Sequence, residues 1–157
     1  MNATIEIMSL LVSTITTLIA AVPSGAPALH DVADVRGAWA AETYYLHDGS
    51  VHEVRGHILF TERDWSVLFF VVDGNGAPMR GSAEGGTYTL EGDELVFTHI
   101  HNLSAGRGVG SLPESPLRMV TRDDASGAST EVTRALVERD RLTLYFPSGN
   151  HMAFRRR

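Results

Sequence analysis

His99 and His101 stand two residues apart in a strand-like run, ELVFTHIH. Side chains alternate across a strand, so residues two apart share a face. Two imidazoles on one face have two chemical uses. With a third ligand such as His57 or Glu42 they hold a metal; without one they contact a bound molecule or move its protons. The same pair at the wet end of a strand does neither. Phe97 shares their face, while Val96, Thr98 and Ile100 make the other, so both faces are mixed and periodicity does not choose. No downstream Glu and His complete a metal framework, and neither a metal nor any other cofactor is expected.

A second group lies near residue 40. Trp39, Ala41, Thr43 and Tyr45 fall on one face of a strand; Ala40, Glu42 and Tyr44 fall on the other. If the Trp39 face is interior, Tyr45 presents a phenol to the inside and Glu42 faces out, as most Glu do. An inward Glu42 would need a partner or a raised pKa, and would be a candidate base. Tyr45, His57, His99, His101 and Glu42 are thus the candidates for acid–base chemistry. Gly108-Val109-Gly110-Ser111 is not a nucleophile elbow, and the glycines from 106 to 110 lack the strand-to-helix setting of a phosphate or dinucleotide loop.

The elements that must position these residues read as strands. Apolar, aromatic and β-branched runs fall at 39–46, 51–61, 65–72, 77–82, 86–90, 94–101, 117–122, 130–138, 141–147 and 151–155. Asp48-Gly49, residues 73–76, Gly92-Asp93, residues 123–129 and residues 148–150 mark the turns between them. Residues 102–115, rich in Gly, Ser and Pro, read as the longest loop. Short connections imply antiparallel neighbours, and a single sheet of nine or ten strands curls until its edges meet. The expected fold is all-β: an antiparallel up-and-down barrel of about 8–10 strands over residues 34–157. Such a barrel has room for one small ligand. Phe60, Phe69, Tyr88, Phe97 and Tyr145 are expected in its core or cavity wall, with Trp39 and Thr43, and with Met119 as an adaptable wall residue.

Composition limits the partners. The formal net charge is −6, which argues against nucleic acid, since phosphate binding needs a basic face. Arg155-Arg156-Arg157 reads as a solvated tail. Without cysteine there are no disulfides or thiolate chemistry. Residues 1–30 stand apart. Residues 7–22 carry no charge, and a Pro-Ser-Gly breaker and Ala26-Pro27-Ala28 follow. That pattern fits a signal peptide or anchor cleaved near residue 28. The segment before it, MNATIE, has no Lys or Arg, so an apolar helix packed on the barrel and a mis-assigned start are also open. Export or membrane anchoring is slightly favoured over a cytoplasmic location, and any membrane contact is expected only through residues 1–28.

Four places, taken in order, resemble the bacterial lipocalin-like domains of the calycin group. Gly37-Ala38-Trp39 resembles the Gly-x-Trp that opens their first strand. Residues 56–61, GHILFT, resemble a Gly-x-apolar-x-aromatic-Thr strand. Residues 86–93, GTYTLEGD, resemble a hairpin that precedes a His-bearing strand. Arg141-Leu142-Thr143-Leu144 with Phe154-Arg155 resembles the closing hairpin. The resemblance spans about residues 34–157, apart from the loop 102–115. It implies that Trp39 closes the barrel floor under Arg155 or Arg156, and that the interior binds a small, mostly apolar molecule. Some calycin barrels have become cyclases or isomerases of natural products, so a cofactor-free cyclase or isomerase of a polyketide- or polyene-type substrate is the alternative. A module acting through its surface is the third reading. The interior separates them: a dry apolar cavity, a cavity with convergent polar groups, or a filled barrel.

Overall fold

The computed structural model describes residues 34–157. The proposed signal, anchor or packed helix at residues 1–30 lies outside them. Nine strands follow in order: β1 (Gly37–Tyr45), β2 (Val51–Phe60), β3 (Asp64–Val72), β4 (Pro78–Glu91), β5 (Glu94–Gly106), β6 (Ser115–Thr121), β7 (Ser129–Glu138), β8 (Arg141–Tyr145) and β9 (His151–Arg156). All pairings are antiparallel. The sheet closes because β1 pairs with both β2 and β9 and β4 pairs with β5. β5 is shared: its first half, Glu94 to His99, pairs with β7, and its second half, from His101 on, pairs with β6. The result is an eight-stranded up-and-down barrel with β6 as an extra strand on its rim. No helix occurs among the described residues.

β4 and β5 are longer than the sequence suggests. Residues 77–82 and 86–90 form one strand, and β5 runs on to Gly106 through what composition marks as loop. Only residues 107–114 remain irregular, with an isolated bridge between Val109 and Leu112. Gly, Ser and Asn are weak strand formers alone, but here β4 and β6 supply ladder partners on both sides. The short loop folds back over that end of the barrel. Ser111 meets the His47 ring at 3.2 Å, and Val109 is buried in the core.

The interior is apolar at the opposite end. Trp39, Ile58, Phe60, Trp65, Leu95, Phe97, Leu142 and Phe154 form one buried cluster. Trp39 is fully buried, and its indole N–H donates to the Val35 carbonyl at 2.7 Å. Arg156 lies over the Trp39 ring at 4.1 Å and donates to the carbonyls of Asp34 and Arg36, tying the incoming chain to the last strand.

Of the bulges that break the simple alternation, one falls on the predicted residue Glu42 and another between the predicted pair His99 and His101. In β1 the partners of β9 jump from Ala41↔Phe154 to Thr43↔Ala153, which leaves Glu42 unpaired. In β5 the partners of β4 jump from Gly86↔His99 to Gly85↔His101, which leaves Ile100 unpaired. Each extra residue flips the strand beyond it to the other face. Gly86 makes the second bulge fit, because a Cβ there would collide with the Thr98 carbonyl.

Candidate functional site

Above the Trp39 floor lies a cavity of about 170 Å³. Ile58, Trp65, Val67, Phe69, Phe97, Leu144, Met152 and Phe154 form its apolar wall. Along β3 and β8, and from Ile58 to Phe60 of β2, more and less buried positions alternate, while in β9 Met152, Ala153 and Phe154 are all buried. Trp65 packs on Phe97 with ring centroids 4.3 Å apart, and Tyr44 meets Phe69 and Phe146 edge-on at 6.1 and 6.3 Å.

One edge of the cavity is ionic. Glu84 on β4 and His99 on β5 face each other across the β4–β5 pair, with His99 Nδ1 2.9 Å from Glu84 Oε2. The Ser82 hydroxyl donates to the other carboxylate oxygen at 2.6 Å. The two side chains are only 23% and 17% exposed, so the pair is largely desolvated. Burial works to raise the Glu84 pKa, but hydrogen bonds from His99 and Ser82 and the His99 charge outweigh it and hold the carboxyl below its ordinary value. The hydrogen bond to Glu84 pushes His99 above its ordinary value, against the opposing effect of burial. The pair therefore favours imidazolium and carboxylate. Arg122 anchors the strand here by donating to the His99 carbonyl at 2.9 Å. Glu131 on β7 completes the polar edge and accepts from the Thr133 hydroxyl at 3.2 Å.

The structure brings together some of the predicted site residues and separates others. Phe69, Phe97 and His99 line the cavity; Phe60 packs beneath them, 6.1 Å from Phe97. Trp39 lies deeper still, in the floor. Tyr88 closes the floor edge, against Phe60 and with its hydroxyl on the Thr61 carbonyl at 2.7 Å. The two histidines do not share a face. The Ile100 bulge leaves His99 inside and turns His101 outward, onto a groove shared with His57, Leu68, Leu103 and Met119. The Glu42 bulge likewise exchanges the tyrosines. Tyr44 faces the cavity, and Tyr45 lies outside, stacked on His151 at 4.4 Å. Thr43 pairs with Glu53 and Ala153 and follows Tyr45 to the outer side. Tyr145 is also outside, against His151 and under Arg134. Met119 is 71% exposed. Glu42 faces out and binds Arg155 at 2.7 Å and Arg141 at 3.7 Å. Among the described residues, no three His, Cys, Asp or Glu side chains gather to hold a metal.

Two cavity residues escape the sequence reading. Glu84 lies between two runs that read as separate strands, so it has no assigned face. Tyr44 falls on the wrong side of an alternation that the bulge reverses.

The up-and-down order, the floor tryptophan and the arginine over it are the features the sequence resemblance implies. The barrel is lipocalin-like in architecture. No family model and no curated protein matches the chain. Among solved structures it is similar to a lipocalin-like protein from Bacteroides uniformis ATCC 8492, at 16% identity and a TM-score of 0.46, over 79% of this chain and 99% of that one. It is also similar to an uncharacterized protein from Bacteroides eggerthii DSM 20697, at 15% identity and a TM-score of 0.44, over 79% of this chain and 100% of that one. At these values the likeness carries no argument about function, which rests on the lipocalin-like barrel's own interior.

Proposed function

We propose that this chain binds a small, mostly apolar molecule inside the barrel. The observation that carries the reading is the cavity itself: about 170 Å³, walled by aromatic and aliphatic side chains, with one polar edge. Ligand sites commonly combine apolar walls with a few placed polar groups. An engineered apolar cavity of about 150 Å³ takes benzene, so the part of the ligand held here is about one ring in size. A larger molecule would have to extend past Ser148 and Glu131 at the cavity's rim. The test is calorimetric titration of one-ring aromatic compounds into the protein and into a Phe69→Trp variant, whose larger ring fills the cavity. Binding to the parent that is lost in the variant, with the fold intact by circular dichroism, supports the reading. Equal heats with both proteins refute it.

The Glu84–His99 pair supports a second reading, a cofactor-free isomerase or cyclase. Neutral His99 would take a proton from an activated carbon, with Glu84 stabilising the imidazolium, and return it at another position. Composition is unchanged by such a shift, so its signature is deuterium uptake from heavy water into the substrate. The cavity size restricts this reading to a compact substrate or to one end of a polyketide- or polyene-type chain.

A further inference from the structure

Trp65 and Trp39 both sit in the barrel interior, but their indole N–H groups fare differently. Trp39 donates to a backbone carbonyl at 2.7 Å. Trp65 is 5% exposed, lines the cavity, and its Nε1 is the one buried side-chain polar atom among the described residues with no hydrogen-bond partner. A buried N–H left unpaired costs stability, and buried donors are almost always satisfied. Next to it stands His99, with ring centroids 5.2 Å apart and the rings nearly perpendicular. The Nδ1 of His99 is engaged by Glu84, while its Nε2 bonds to no other protein group among the described residues. Trp65 and His99 both line this end of the apolar cavity, and the imidazolium that the ion pair with Glu84 favours carries a second N–H at Nε2. A carbonyl oxygen has two lone pairs and can accept from both.

We propose that the ligand carries an uncharged carbonyl oxygen on a body of about one ring, and that this oxygen accepts hydrogen bonds from Trp65 Nε1 and His99 Nε2. The proposal rests on the cavity-binding reading above and deepens it. A bare hydrocarbon would leave the Trp65 donor unpaired. A carboxylate would enter a wall that already holds Glu84 and Glu131 against a single imidazole, with Arg122 bound to the His99 backbone. An aldehyde, ketone or amide meets the donors without that repulsion.

The test uses acetophenone, ethylbenzene and benzoate, which share one ring and differ at the polar group. Affinities come from calorimetry, and the two indole N–H signals are followed by nitrogen-15 NMR, with Trp65→Phe identifying which is which. Acetophenone is expected to bind about 3- to 10-fold tighter than ethylbenzene, the usual net worth of one hydrogen bond. Benzoate should bind more weakly than acetophenone. Acetophenone should move the Trp65 indole proton downfield and leave that of Trp39 in place. In Trp65→Phe the preference for acetophenone over ethylbenzene should fall below about twofold. Equal binding of acetophenone and ethylbenzene, or an unmoved Trp65 signal at saturating acetophenone, overturns the oxygen seat and leaves cavity binding standing. Failure of both compounds to bind overturns both. If Trp65→Phe does not fold, the parent's affinities and indole shift still decide.

Discussion

Replacing Glu84 with Gln isolates the charge of the cavity's ion pair. Glutamine keeps the shape and one acceptor oxygen. It loses the charge that holds His99 and accepts from Ser82, at 2.9 and 2.6 Å in the parent. Both side chains are less than a quarter exposed, so solvent screens the pair weakly. Exchanging charge-assisted bonds for neutral ones should cost about 1–2 kcal/mol while His99 is protonated. The sign of the pH dependence follows from the two shifts. His99 is raised from 6.5, so its contribution is complete below that value and is lost as pH rises through the raised one. Glu84 is lowered from 4.5, so its contribution is present above that value and is lost as pH falls through the lowered one. The variant's deficit should therefore be greatest between the two and should shrink above the His99 midpoint. Urea unfolding on either side of that midpoint, with the midpoint itself read by NMR, measures this. The variant should also titrate His99 at a lower pH than the parent. A deficit that does not change with pH, or an unmoved His99 midpoint, would refute the reasoning.

Other substitutions test the framework. Gly86→Ala should cost more than about 2 kcal/mol by urea unfolding, because its Cβ would strike the Thr98 carbonyl, and it should weaken ligand binding by displacing His99. Phe97→Ala should cost about 3–5 kcal/mol in the same assay, since it empties the centre of the buried aromatic cluster. Arg156→Ala removes the cation over Trp39 and should cost about 0.5–2 kcal/mol, with a change in Trp39 fluorescence; an unaltered spectrum would count against that contact. Tyr45→Ala should leave ligand affinity within about twofold, whereas Tyr44→Ala should change it by more, because only Tyr44 borders the cavity.

The strands themselves were legible in the chain, because their signals are local. The apolar run Trp65 to Val72 and the hairpin turn at Glu91-Gly92-Asp93 depend on residues a few positions apart, and each forms where those residues predict. Antiparallel closure followed from the count of such strands and the shortness of their turns. The Trp39 floor was legible through a motif, although its arginine became definite only when Arg156 rather than Arg155 was seen to lie over the ring. Which side chains share the cavity was legible only in part, for Phe69, Phe97 and His99, because strand phase is inherited residue by residue from a fixed alternation until a bulge resets it. One unpaired residue at Glu42 exchanged Tyr45 for Tyr44, and one at Ile100 parted His101 from His99. A bulge depends on the register of both partners, as where Gly86 of β4 accommodates the extra Ile100 of β5, so the alternation of one strand alone does not reveal it. The partner of His99 was decided in the same way. Glu84 is 15 residues distant along the chain, and only the β4–β5 ladder brings its carboxylate to 2.9 Å.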